Sequence, residues 1–245
     1  MTVFLHVAFG SIALAAVPAA LWVRKGPGLH RIFGRTFLWA MAVVLLTAQF
    51  MWQKKGHFFL VPLSIVTVFL IYSGYRALSR RGRRPAGPAW AAADLGAGTI
   101  AAATGAFVYF YWQGATGGLM LQLRPVFVGI GTIAICFALS DFLGYALPRS
   151  KTGWILSHFS GMLASYISAV TAFVVINAHG VPMVLRWLVP SAIGAGTIIT
   201  YSLRTVRLRP SNLIAVLTAR GRPAAPSQPI APGLVTVRPG SNPKL

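Results

Sequence analysis

Apolar residues run along this chain in seven long blocks separated by short polar interruptions. The blocks cover residues 3–23, 36–52, 58–77, 89–112, 119–143, 155–178 and 182–203. Each is near the ~20 residues that an α-helix needs to cross a bilayer core. Backbone polar groups find no partner in lipid, so a spanning segment must bond internally, as a helix or a closed barrel does. Blocks this long predict an all-α polytopic bundle of seven transmembrane helices over residues 1–210. The gaps carry the residues that break helices: Arg24-Lys25-Gly26-Pro27-Gly28, Arg80-Arg81-Gly82-Arg83-Arg84-Pro85 and Pro148-Arg149-Ser150-Lys151. Beyond them, residues 211–245 hold six prolines and little apolar patterning, which predicts a disordered, basic, Pro-rich tail.

Composition agrees with a membrane class. Hydrophobic residues make up 56% of the 245, charged residues 10%, and the mean hydropathy is +0.69. A soluble domain carries roughly 25% charged residues. The opening stretch, residues 1–20, is apolar without a basic leader, so it reads as a retained first helix rather than a cleaved signal. Cys136 is the only cysteine, which excludes an intrachain disulfide and any multi-cysteine metal site.

Charge sets the orientation. The net charge is +20, with 22 Lys and Arg against only Asp94 and Asp141. A basic soluble face would point to nucleic acid, but here the cations sit in short loops and a tail, so no nucleic-acid partner is expected. Lys54, Lys55, Arg124 and Arg186 fall on one side of the seven-helix plan, and the other eighteen fall on the opposite side. The positive-inside rule then places the N-terminus outside and the C-terminus in the cytoplasm, with anionic lipid headgroups as partners. A bacterial cytoplasmic membrane is the expected location.

Candidate chemistry is sparse. An ionisable side chain near a helix centre costs on the order of 2.5–3.5 kcal/mol on insertion scales, so each one is a place to look. In the seven-helix plan Asp94, Asp141 and His158 lie near the cytoplasmic ends of their helices, and His30 lies in the first cytoplasmic loop. These four form a candidate polar cluster in one leaflet. His6, His57 and His179 fall on the outer side. Neutral imidazole ligates haem iron and other metals. His6 with His57 or His179 outside, and His30 with His158 inside, are therefore candidate haem or metal ligands, one pair per leaflet. Two features count against that assignment: His30 is expected in a loop, and His179, about 31 Å along from His158, is expected beyond the helix end. Gly129-Ile130-Gly131-Thr132-Ile133-Ala134 matches a loose dinucleotide fingerprint, but no strand precedes it and close helix packing explains it. No Walker loop, zincin motif or nucleophile elbow is present.

The first half of the chain contains His6-x3-Gly10, then Gly26-x3-His30-Arg31-x2-Gly34-Arg35-x-Phe37. The second contains His158-x3-Met162-x3-Tyr166, continuing into Thr171-Ala172-Phe173. These motifs resemble a group of bacterial multi-pass membrane proteins known only as a domain of unknown function. The resemblance covers the two ends of the membrane region and lends weight to His6, His30, Arg31 and His158 without implying an activity. Relatives have a basic residue between the histidine and the methionine, where this chain has Phe159, Ser160 and Gly161. Three readings stand: an accessory or small-ligand-binding membrane protein, a redox protein with histidine-ligated haem or metal, and a proton-coupled transporter using Asp94, Asp141 and His158.

Overall fold

The computed structural model describes residues 1–55, 60–79, 88–113, 118–146 and 153–207. They form seven helices: α1 (Thr2–Trp22), α2 (Leu29–Lys55), α3 (Leu60–Ser79), α4 (Pro88–Gln113), α5 (Gly118–Ala146), α6 (Gly153–Asn177) and α7 (Met183–Arg207). No strand occurs among the described residues. All seven are long and apolar enough to cross a membrane. Met1–Ser202 is one compact unit, and it alone is described further. His57 and residues 211–245 lie outside the described residues.

One boundary departs from expectation in a way that matters. Helix α2 begins at Leu29, not near Thr36, so His30 is helical rather than in a loop. Pro27 and Gly28 mark the real break, since Gly28 offers its carbonyl to the amides of Arg31 and Ile32 and so opens the first turn. Hydropathy misses this turn because Arg31 and Arg35 lower the apolar content of a stretch that is nonetheless helical.

The bundle is built from antiparallel pairs, α1 with α2, α4 with α5, and α3 with α6. The third pairing joins helices distant in sequence. Its register follows from two contacts: a Cβ on Gly161 would fall 2.7 Å from the Cα of Gly74, and Thr67 Oγ1 lies 2.8 Å from Ser168 Oγ. The two pairs share one antiparallel alignment, which sets Ser64 opposite Thr171. Along each helix these positions are seven and then three residues apart, so they lie on one face. Small side chains let backbones approach where lipid removes the hydrophobic drive between helices. At the α4–α5 seam, Gly131 does the same against the carbonyl of Gly105, so the fingerprint-like run is a packing device.

A proline links α1 to α6. Pro18 has no N–H, so the Leu14 carbonyl one turn back loses its helical donor. Tyr166 Oη donates to that carbonyl at 3.2 Å. Around it Ala13, Ala16, Val17, Phe37, Ala40 and Met41 form a buried apolar cluster against Met162 and Tyr166. The edge of the Phe37 ring meets Tyr166, centroids 6.4 Å apart.

Candidate functional site

The helix faces decide which polar residues meet. On α2, His30 shares its side with Phe37 and Met41, which are almost fully buried, so the imidazole looks into the bundle. Its Nδ1–H donates to the Ala20 carbonyl at 2.9 Å. That carbonyl belongs to the last turn of α1, where no helical donor remains. On α6, His158 lies three residues before Gly161 and so on the side that touches α3. Its Nδ1–H donates to the Gly74 carbonyl at 2.9 Å. The bond is possible only because Gly74 and Gly161 bring the two backbones together.

Both rings therefore have a fixed tautomer. A carbonyl cannot donate, so Nδ1 carries the proton and Nε2 keeps its lone pair in the neutral ring. His6 is held through the same ring atom, its Nδ1 lying 2.9 Å from the Thr47 hydroxyl. Metal-ligating histidines are held in this way, with the far nitrogen tied to a carbonyl or other acceptor and the near one free to bind. His30 lies two turns before Phe37 on α2 and His158 two turns before Tyr166 on α6, and the Phe37 and Tyr166 rings meet with centroids 6.4 Å apart. Met162, one turn after His158, and Phe37, two turns after His30, belong to the same apolar cluster.

Glycines separate this place from the packing seams. A Cβ on Gly34, one turn after His30, would meet nothing within 4 Å, and the same holds for Gly10, one turn after His6. At Gly74, Gly105, Gly131 and Gly161 the same Cβ would strike a neighbouring backbone. Gly34 and Gly10 are thus not required for helix contact. Each leaves open space beside an oriented imidazole, where a flat group could lie. The sequence already held this signal as His-x3-Gly, written twice.

Asp94 does not share the site. It is 4% exposed, and its Oδ1 accepts from Tyr72 Oη at 2.7 Å and from Arg76 Nε at 2.9 Å. On α3, Tyr72 and Arg76 are two residues either side of Gly74, which puts both on the face opposite the α6 contact. The structure therefore places Asp94 across α3 from His158, as a clamp between α3 and α4. Arg76 also reaches Ser79 Oγ. Asp141 sits half-buried near the end of α5, with partners of its own, beside Phe142, whose ring covers Gly98 of α4. His179 is exposed in the turn after α6. Of the four-residue cluster, His30 and His158 lie on helices that share the apolar cluster around Phe37 and Tyr166. Sequence reasoning missed Tyr72 and Thr47, quoted Gly34 only as part of a motif, and counted Arg76 only among the basic residues.

Among the described residues no group of three His, Cys, Asp or Glu side chains could hold a metal ion by itself. A ligand carried by His30 and His158 must bring the rest of its own coordination sphere. No family model, curated protein or solved structure matches the chain.

Proposed function

We propose that this integral membrane protein is a redox carrier whose His30 and His158 ligate haem through their Nε2 atoms. The observation that carries the reading is the pair of imidazoles on α2 and α6, each locked by a backbone carbonyl into the tautomer that leaves Nε2 free. Two imidazoles would suffice to hold haem, because the porphyrin brings the other four nitrogens. Gly34 would leave room for the group, and Phe37 and Met162 would offer it apolar surface. Bound iron would pass one electron at a time. The chain's own residues would orient the ligands and keep water from the macrocycle. The helical position of His30 removes the objection that a loop residue could not hold an axial ligand.

His6, fixed by Thr47 and followed by the open Gly10, repeats the device in the first turns of α1, the end remote from His30. This favours a second, outer site and an electron path between two faces of a bacterial cytoplasmic membrane, N-terminus outside. The transporter reading is weaker, because Asp94 is occupied by Arg76 and Tyr72.

A reduced-minus-oxidised visible spectrum of protein purified from haem-sufficient cells tests the proposal. Sharp Soret and α bands are expected, lost in His30→Ala and His158→Ala. Gly34→Leu should keep the fold and lose the bands, because its side chain fills the open space. A flat spectrum from folded, pure protein overturns the reading.

A further inference from the structure

The outward face of α2 has a composition that its inward face does not explain. Arg31, Arg35, Trp39, Ala42, Leu46 and Phe50 recur at steps of four or three residues and fall within about 100° of arc. Arg31 and Arg35 are exposed, and Trp39, Leu46 and Phe50 are 75%, 63% and 58% exposed. Phe37, Ala40, Met41 and Thr47, on the far side of the same helix, are all buried. The stripe thus runs from two guanidiniums through an indole to bulky apolar groups. From Trp39 to Phe50 is about 16 Å along the axis, close to half of a ~30 Å hydrocarbon core.

The two arginines are placed where the helix itself disfavours them. They are like charges at i and i+4, and they sit at the positive end of the α2 dipole with no acidic residue in the first turn. No carboxylate occurs anywhere in residues 1–93. Of the two acids in the chain, Asp94 is engaged by Arg76 on another helix pair. The counter-charge must come from outside the hairpin.

We propose that this stripe is a binding site for one anionic phospholipid, whose phosphate lies between Arg31 and Arg35, with its glycerol region at Trp39 and an acyl chain along Leu46 and Phe50. The graded order from cation to indole to hydrocarbon is the order of groups in a phospholipid, which a free phosphate ion lacks.

Native mass spectrometry of the detergent-purified protein, titrated with phosphatidylglycerol and with phosphatidylcholine, tests this. Preferential retention of phosphatidylglycerol by the wild type is expected, reduced about thirtyfold in Arg31→Gln/Arg35→Gln. Both arginines are exposed, so the double variant should fold, and its thermal unfolding is compared with the wild type. A charge-matched control, Arg24→Gln/Arg204→Gln, should change retention less than about threefold, since the site charge is kept. Inorganic phosphate should not displace the lipid. Equal retention of the two lipids by the wild type, equal loss in both double variants, or displacement by phosphate alone would each overturn the assignment.

Discussion

Replacing Gly161 with alanine probes the contact on which the histidine site depends. The new methyl would lie 2.7 Å from Gly74 Cα, 2.8 Å from Gly74 N and 2.9 Å from the Leu70 carbonyl oxygen. All three are backbone atoms, so no side-chain rotation relieves the clash. Carbon atoms rest at about 3.5–4.0 Å, so α3 and α6 must part by about 1 Å. That shift takes the His158 Nδ1–Gly74 hydrogen bond from 2.9 Å to beyond hydrogen-bonding range. Overpacking costs about 1–3 kcal/mol, and the lost interhelical bond about 0.6 kcal/mol. Alanine's better helix propensity returns up to about 1 kcal/mol. A net destabilisation of about 1–3 kcal/mol follows. Equilibrium unfolding in mixed micelles by increasing anionic detergent measures it, with Gly34→Ala as the contrast. Gly34 has open space, so its alanine variant should be neutral or slightly more stable. A Gly161→Ala protein as stable as the wild type, or an equal loss at Gly34, would refute the close-approach argument.

Asp94→Asn should destabilise the bundle by about 3–5 kcal/mol, because it strips Arg76 of its buried counter-charge, while Asp94→Leu/Arg76→Met should recover much of that loss in the same unfolding assay. Tyr166→Phe should cost about 0.6 kcal/mol by leaving the Leu14 carbonyl without a donor, and the cost should disappear in a Pro18→Ala background, where an amide N–H is restored to that carbonyl. If His6 holds a second site, His6→Ala should remove one spectral component and leave the part that depends on His158. Equal loss of all signal in His6→Ala would show a single shared site.

Much of the fold was legible because one physical quantity governs it. The length of each apolar run against bilayer thickness is written directly in the residues, and seven runs became seven helices. The start of α2 was not legible, since Arg31 and Arg35 dilute hydropathy without disturbing the helix. The candidate site was readable as residue types and not as neighbours. His30 and His158 are 128 positions apart, and their helices are related only by tertiary packing such as the meeting of Phe37 with Tyr166. Gly34 and Gly161 look alike in the sequence, yet one faces open space and the other a backbone. The separation of Asp94 from His158 depends on which sides of α3 carry Tyr72, Gly74 and Arg76, and this requires knowing the partner on each side.

The tyrosine that serves the Leu14 carbonyl lies 152 positions downstream. During synthesis α1 can enter the bilayer with α2 as a hairpin, as α4 can with α5, each pairing with the segment that follows it. Helix α3 also meets α2 and α4, but its closest backbone approach, at Gly74, waits for α6 to emerge. Until then one carbonyl of α1 remains unsatisfied in lipid, and the acceptor that orients His158 has no imidazole to serve. The hydrogen bond from His158 to Gly74 is therefore a late event in biogenesis, and the proposed haem would be loaded onto a nearly finished chain.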